Sequence, residues 1–282
     1  MITMTSLQYD VYNNRRNSVT RGVPDDTKDL QWVSNTATLI YGEQEAILVD
    51  TYTTKSANQE LIDWTYEHHV TLKYIYLTHA HADHFFGAGM IKNAFPGATI
   101  IATQATADGI PAVMTPANLA GTWEKLFPGK LPTPIVGADQ VVKDHFTLED
   151  HPITVISDGF TDTHDTTSLW VPDLQLIVAG DATYNGIHAY MQETTLAACQ
   201  NWIKANEHLK TFKPQHVVAG HKIPENADDP AILDSTIAYI TTFNKLAQEA
   251  TSALELYRQM LALYPTYANP GSLWSSAHAV IR

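Results

Sequence analysis

The sequence predicts an α/β fold. Short apolar, β-rich runs alternate along the chain with amphipathic stretches that have helical spacing. Several of the β-rich runs end directly at a histidine or an aspartate, and two of these follow a glycine. With 282 residues, 44% of them hydrophobic, the chain has enough material for a packed core, which excludes a disordered or fibrous protein.

Each predicted element rests on a local pattern. The run Ala-Ile-Leu-Val at 46–49 is typical of a strand, and residues 56–68 have Leu61, Ile62 and Trp64 at helical spacing. The first 30 residues are polar and turn-rich, with little periodicity. In chain order we predict strands over 36–41 and 46–49, a helix over 56–68, a strand over 71–77, a short helix over 87–93, a strand over 99–102, strand pieces over 147–156, a hairpin of 168–171 and 174–179, a helix over 195–209, a strand over 216–219 and one or two helices over 230–263.

Two segments stand apart from this alternation. Residues 106–140 contain five prolines and read as an irregular loop or insertion, a kind of segment that often forms a substrate lid. Residues 230–263 form a helical extension that covers the main body or serves a homodimer, with covering the simpler expectation. The length alone suggests two domains, but the order of the polar residues discussed below joins both halves, so we predict a single domain over 1–282.

Charge and cysteine content exclude several classes of function. The net charge of −13 argues against a nucleic-acid partner and against an anionic membrane surface, because both require clustered Lys and Arg. No run approaches the roughly 18 apolar residues of a membrane span. The single cysteine, Cys199, lies in a helical pattern and is expected in the core. The first residues lack the apolar region of a signal peptide, so we expect a cytoplasmic protein.

The chain has thirteen histidines but a single cysteine, and some of the histidines occur with aspartates in a recognisable order along the chain. His79-Ala-His81-Ala-Asp83-His84 follows the predicted strand 71–77. His164 comes later, and Gly180-Asp181 and Gly220-His221 each end an apolar run. A glycine at a strand end lets the chain turn sharply and present one polar group. Imidazole and carboxylate are ligands for Zn²⁺, Mn²⁺ and Fe²⁺, so the set predicts a metal site.

This ordered set resembles that of the metallo-β-lactamase superfamily, over roughly residues 30–225. The resemblance implies an αββα sandwich, in which two mixed β-sheets pack face to face with helices outside and the metals lie at one edge. It also implies two divalent metal ions, zinc by default, although Mn²⁺, Co²⁺ and Fe²⁺ accept the same ligands. By position, the implied ligands are His79, His81 and His164 for the first ion, Asp83, His84 and His221 for the second, and Asp181 as the bridge.

The loop of the third ligand departs from the family pattern. The family often has Gly-His-Thr-Pro-Gly-Ser, whereas this chain has Asp162-Thr-His164-Asp-Thr-Thr-Ser168. Proline and glycine are missing, and Asp162 and Asp165 add negative charge. His151 is the alternative ligand here, although its Asp-His-Pro context is typical of a turn. Asp50 matches a family aspartate that supports the cluster loop from outside the ligand set.

The resemblance implies a hydrolase in which a hydroxide that bridges the two metals attacks a small ester-like substrate. In the N-acyl-homoserine lactonases of the superfamily, a tyrosine three residues after the bridging aspartate points at the substrate carbonyl. Tyr184 has that spacing from Asp181, so a lactone is the first expectation, and Asp83 would carry a proton to the leaving group. Aromatic residues that would line an apolar pocket, although burial in the core is their commoner use, are Phe85, Phe86, Trp123, Phe127 and Tyr190.

Other activities suit the same site. A β-lactamase is the nearest alternative, and the acid at Asp181 counts against it because dedicated β-lactamases of the superfamily generally lack one there. Thioesterase and phosphotriesterase activities remain open, as does a non-catalytic binding protein on a hydrolase scaffold. Metal sites that have lost their catalytic activity usually also lose ligand residues, whereas here all seven implied ligand positions hold a histidine or an aspartate.

Overall fold

The computed structural model describes residues 6–24 and 28–281. Part of the amino-terminal stretch expected to be turn-rich, residues 1–5 and 25–27, lies outside the described residues, as does residue 282. The strands are β1 (Gln8–Asn17), β2 (Trp32–Tyr41), β3 (Glu45–Val49), β4 (Thr71–Tyr76), β5 (Thr99–Thr103), β6 (Gln140–Val142), β7 (His145–Leu148), β8 (His151–Gly159), β9 (Thr166–Val171), β10 (Leu176–Val178), β11 (Tyr184–Asn185), β12 (His216–Val218) and β13 (His221–Lys222). The helices are α1 (Lys55–Glu67), α2 (Ala82–Phe85), α3 (Ala88–Ala94), α4 (Gln104–Val113), α5 (Pro116–Asn118), α6 (Glu124–Leu126), α7 (Leu196–Thr211), α8 (Ala231–Glu249), α9 (Ala253–Leu263) and α10 (Pro270–Val280).

The strands form two mixed sheets. The first has the order β1-β2-β3-β4-β5-β6, and the second has the order β12-β10-β9-β8-β7. In the first sheet β1 to β3 are antiparallel, whereas β3 to β6 run parallel. In the second sheet β10 and β12 are the parallel pair. A short third pairing joins β11 to β13.

The two sheets pack face to face, with helices on their outer faces. Successive residues of β3 show this, because Ile47 and Val49 belong to the core between the sheets, whereas Leu48 packs on the helix side. On the far side of the second sheet, Leu209 of α7 and Leu233 of α8 pack on Ile177. These layers confirm the predicted α/β class and the αββα sandwich.

The topology brings four strand ends to one edge. Neighbouring parallel strands end on the same side, so the residues that follow β3 and β4 lie together, and those that follow β10 and β12 do likewise. This edge receives Asp50 after β3, the cluster from His79 after β4, Asp181 after β10 and His221 after β12.

The segment 106–140 is not an irregular loop throughout. Its prolines separate short helices instead of preventing them, because Thr115 caps α5 and Pro116 occupies the first turn, where no N–H is required. The helix α4 even contains Pro111, close to its end. Residues 127–139 do lack regular structure. The expectation of an irregular segment therefore holds only for its second half.

The two ends of the chain also differ from expectation. The strand β1 was not predicted, because its partly exposed edge position allows a polar sequence without an apolar alternation. The region 230–263 was expected to form one or two helices, and it forms two. The first of them, α8, covers the second sheet. The helix α10 follows and was not predicted. Among the described residues no helix is long and apolar enough to cross a membrane.

His188 supplies a test of the packing around α8. It is fully buried, its Nδ1 lies 3.0 Å from the hydroxyl of Tyr239, and burial lowers its pKa to about 3. The folded chain thus holds this histidine neutral, while the unfolded chain takes up a proton below about pH 6.5. The free energy of unfolding should fall as the pH drops from about 6.5 toward 3, by about 1.4 kcal/mol per pH unit from this group.

We expect H188Q to have a flatter stability–pH profile than the wild type over that window. Denaturant unfolding in the presence of a chelator, at half-unit steps of pH, measures it. The matched control is H69Q, because His69 is exposed and forms no ion pair among the described residues, so its replacement should not flatten the profile. Parallel profiles for H188Q and the wild type would contradict the assignment.

Candidate metal centre

Two groups of ligand-type side chains meet at the sheet edge. Within each group the donor atoms lie within 4.8 Å of one another. Asp181 connects the groups, because its Oδ1 lies 3.3 Å from Nε2 of His84 and its Oδ2 lies 3.1 Å from Nε2 of His221. The first group is His79, His81, Asp162 and Asp181, and the second is Asp83, His84 and His221.

The donor set fits metal ions. Four of its atoms are buried and make no hydrogen bond of good geometry among the described residues, although three of them have an ionisable neighbour within 3.3 Å. They are Nε2 of His79 and His84 and one oxygen each of Asp162 and Asp181. A buried polar atom without a well-aligned partner is costly, and four of them at one place are explained most simply by bound cations. Imidazole and carboxylate suit zinc, manganese and iron alike, so the donors define a class of ion and not one element.

Three of the four histidines have their far nitrogen held by a partner outside the cluster. Nδ1 of His84 donates to Asp50 Oδ2 at 2.8 Å, and Nδ1 of His221 donates to the carbonyl of Ser34 at 2.9 Å. Thr78 Oγ1 donates to Asp50, so it accepts from Nδ1 of His79 at 2.9 Å. These bonds turn each Nε2 toward the cluster, where it would bind a metal ion through its lone pair or, without metal, carry the proton that pairs with a carboxylate, the arrangement that supports metal ligands elsewhere.

His81 is oriented differently. Its Nδ1 lies 2.8 Å from Asp162 Oδ2, and its Nε2 lies 3.1 Å from Glu193 Oε1. Thr163 Oγ1 donates to the other oxygen of Glu193 at 2.6 Å. Burial lowers the pKa of His81, but Asp162 and Glu193 outweigh it and raise this pKa well above its usual value. Sequence reasoning missed Glu193, whose surroundings in the chain carry no ligand pattern.

The cluster holds its shared carboxylate in the charged form. Burial raises the pKa of Asp181, but His221 and His84 outweigh it and hold this pKa well below the usual range. Burial likewise raises the pKa of Asp83, and the same two histidines lower it overall. Burial dominates at Asp162 and raises its pKa. His81 offsets this only in part, and a cation next to Asp162 would stabilise the charged carboxylate further.

His164 lies outside the cluster in this structure, although the resemblance implies it as a ligand of the first ion. It is exposed, and its ring packs edge-on against Phe160 at 4.5 Å. Asp162 takes its place, buried and aimed at His79 and His81. The loop conformation is the cause: Thr161 N donates to Thr163 O, and Asp165 has a φ of 56°. This turn points residue 162 inward and residue 164 outward.

The remaining residues that the sequence analysis singled out lie at or near the cluster, or in the core. Tyr184 is buried, and its hydroxyl donates to Asp181 Oδ2 at 2.8 Å. Asp83 accepts from Nδ2 of Asn35 at 2.8 Å, a partner that sequence reasoning missed. His151 lies in β8, bonded to Asp173, and belongs to neither group. Cys199 is buried in the core of the C-terminal helices, as predicted.

Two glycines allow the close approach of the strand ends. A Cβ on Gly220 would lie 2.1 Å from Asp181 Oδ1, and one on Gly180 would lie 2.8 Å from Thr78 Oγ1. Gly180 also has a φ of 50°, a conformation that side chains resist. The repeated pattern of apolar run, glycine and ligand thus has a steric reason.

A cavity of about 370 Å³ opens over the cluster, a size that suits a small molecule. His81, Asp83, Asp181 and His221 lie at its floor. Of the five aromatic residues expected to line a pocket, three do so and two are fully buried in the core. Those that line it are Trp123, Phe127 and Tyr190, and those in the core are Phe85 and Phe86.

The comparisons with known proteins agree with this architecture. The pattern of the metallo-β-lactamase superfamily matches residues 30–221. The solved structure of the DIM-1 metallo-β-lactamase exposed to ceftazidime is 18% identical, with a TM-score of 0.62 over 84% of this chain and 97% of that one. A metallo-β-lactamase from Pontibacter korlensis is 18% identical, with a TM-score of 0.60 over 83% and 99%. FIM-1 from Pseudomonas aeruginosa, in its mono-zinc form, is 14% identical, with a TM-score of 0.60 over 85% and 96%. No curated protein sequence matches the chain.

The family match covers more than half of the chain, so the chain belongs to the metallo-β-lactamase superfamily. Its fold, with a potential His/Asp metal site at the sheet edge, is that of a hydrolase of this superfamily. The structural neighbours show the fold alone, because their identity is low.

The position of Asp162 inside the cluster and of His164 outside it can be tested directly. We expect D162A to weaken metal binding by more than about 100-fold, the upper range for residues that only support a ligand. The matched variant H164A should bind metal as the wild type does, because His164 is exposed and outside the cluster. Calorimetric titration of metal-free protein and elemental analysis after dialysis measure both. Loss of a metal by H164A with full retention by D162A would contradict the assignment.

The glycine at the end of β12 gives a second test. In G220A the new methyl group must displace the Asp181 carboxylate, so we expect metal affinity to fall by more than about tenfold. The control is G97A, where a Cβ would have no neighbour within 4 Å and no effect on metal binding is expected. Equal metal affinities for the two variants would show that Asp181 does not depend on this close approach.

Proposed function

We propose that this chain is a dinuclear metallohydrolase that cleaves a small ester-like substrate, with a lactone as the best candidate. The observation that carries the proposal is the pair of donor groups that share Asp181, with buried atoms in both that lack a well-aligned hydrogen bond. The cavity that opens over them gives a small molecule access to the cluster.

The proposed ligands are His79, His81, Asp162 and Asp181 for one ion and Asp83, His84, His221 and Asp181 for the other. We propose zinc for both, with Mn²⁺, Co²⁺ or Fe²⁺ as alternatives that the same donors accept. Two such ions, when bound, lower the pKa of a shared water toward about 7 and polarise a substrate carbonyl.

The chain's own residues would then divide the remaining work. Asp83 lies at the cavity floor with Oδ2 held by Asn35, so its carboxylate is fixed where it can take a proton from the attacking water. Hydrolysis of a lactone breaks the bond between the acyl carbon and the ring oxygen. The proton held by Asp83 would pass to that oxygen as it leaves, and the carboxylate would be restored.

Tyr184 is the feature that favours a lactone within this class. Its hydroxyl lies at the cavity, 2.8 Å from Asp181, and its ring stacks on His221. Burial, with the charge of Asp181, raises its pKa well above the usual value, so the hydroxyl keeps its proton. If bound metal ions occupy the oxygens of Asp181, this hydroxyl would be released to donate to a substrate carbonyl oxygen that gains negative charge.

The pocket wall supports an acyl substrate with an apolar part. Trp123 and Phe127 come from the segment 106–140, so this segment builds one wall of the cavity. We propose that it also acts as the lid. A single domain over 1–282, a cytoplasmic location and a homodimer remain predictions.

The test is a substrate panel on metal-loaded protein. It contains lactones of increasing acyl length, a β-lactam, a glutathione thioester and a phosphotriester. We expect lactones to be cleaved with the highest kcat/KM, D181A to lose activity by at least about 10³-fold, and Y184F to lose about 10- to 100-fold, mainly in kcat. The variant Y66F, in an exposed tyrosine remote from the cavity, is the control.

Each alternative has its own outcome in this panel. Preferred turnover of the β-lactam, the thioester or the phosphotriester would replace the lactone with that substrate class. Two bound metals with no turnover of any substrate would support the binding protein and overturn the enzyme.

A further inference from the structure

The strand β1 places an arginine over the cavity. Arg16 pairs with Val33 of β2, and Asn14 pairs with Asn35 two positions further along. Residues directly opposite in an antiparallel pair share a face, and so do residues two apart. Arg16 therefore lies on the face from which Asn35 reaches Asp83, and it lines the cavity together with Val33.

The neighbour Arg15 lies on the other face of the strand. Its guanidinium packs over the Trp32 ring at 4.0 Å, and its side chain is exposed. Two adjacent arginines thus have different surroundings. One faces solvent and an indole ring, and the other faces the cavity over the metal centre.

Among the described residues that line the cavity, Arg16 is the only permanently charged cation. Among the described residues it makes no ion pair, and its one hydrogen bond is a long contact of 3.4 Å to the carbonyl of Asn17. Its guanidinium sits 5.1 Å from the centre of the Phe127 ring. Its other four N–H donors make no hydrogen bond among the described residues.

Asp83 does not account for this arginine. The two lie near enough to interact electrostatically, yet they form no ion pair, and Asp83 already has Asn35, His84 and His221 around it. A half-buried guanidinium with free donors suits a planar oxyanion that binds with two parallel hydrogen bonds.

We infer that Arg16 binds a carboxylate of the substrate, so that the ester-like substrate of this site is an anion with its carboxylate next to the scissile group. The inference rests on the proposed function. It moves the substrate away from neutral lactones toward lactones, or related cyclic acyl compounds, that carry a free carboxylate. The aromatic wall formed by Trp123 and Phe127 would contact the apolar part of such a molecule.

The test compares matched pairs of substrates. γ-Butyrolactone and the same ring with a carboxylate at the γ-carbon differ only in the anionic group. We expect the wild type to prefer the carboxylated lactone, and R16M to lose about 10- to 100-fold in kcat/KM for it but much less for the neutral ring, so that the preference disappears. Methionine keeps an apolar stem against Phe127. The control R15M carries the same change of charge on the opposite face and should retain the preference.

A binding measurement decides the inference without any turnover. Thiols bind metal ions, so short mercapto-acids and the mercapto-alcohols of equal chain length can be titrated calorimetrically into metal-loaded protein. We expect at least one mercapto-acid to bind about tenfold more tightly than its alcohol, and R16M but not R15M to abolish that difference.

Equal binding of acids and alcohols by the wild type, or equal effects of R16M and R15M, would overturn the role of Arg16. Absence of lactone turnover with an intact difference between acids and alcohols would overturn the proposed lactone hydrolysis alone. The two failures are therefore distinguishable.

Discussion

The buried carboxylate of Asp181 is the constraint on which the site depends. It carries charge although it is almost completely buried, and such a charge is stable only with close partners of opposite sign or with hydrogen-bond donors. His84, His221 and the hydroxyl of Tyr184 all converge on it. Gly220 leaves room for it, since any side chain there would occupy the place of its oxygen. The two donor groups are two halves of one arrangement around this carboxylate.

The sandwich makes that arrangement possible by delivering strand ends from both sheets to one edge. Asp50 shows how the layers are joined, because it follows β3 and binds both Thr78 after β4 and His84 in α2. The apolar core between the sheets fixes the distance over which these polar groups must meet. Packing far from the metal centre thereby determines whether the ligand atoms fall within reach of one ion.

The sequence was most informative where a local pattern had a steric cause. Gly180-Asp181 and Gly220-His221 could be recognised because each glycine follows an apolar run, and the structure shows why a larger residue is excluded. The choice between Asp162 and His164 could not be made in this way. Both are ligand-type residues two positions apart, and the turn at Asp165 decides which one faces inward. Arg16 belongs to the same category, because a polar edge strand has no apolar pattern that would place it over a cavity. Such contacts depend on strand register and loop conformation, which pair residues remote in the chain.

The central claim is that two metal ions bind on either side of Asp181, with Asp162 as a ligand of the first. The most direct measurement is anomalous diffraction from crystals of the metal-loaded protein, recorded on both sides of the absorption edge of the metal. The account predicts two peaks at the sheet edge that share Asp181, one beside His79, His81 and Asp162 and the other beside His84 and His221. A single peak, or a first ion bound by His164 with Asp162 turned away, would contradict it.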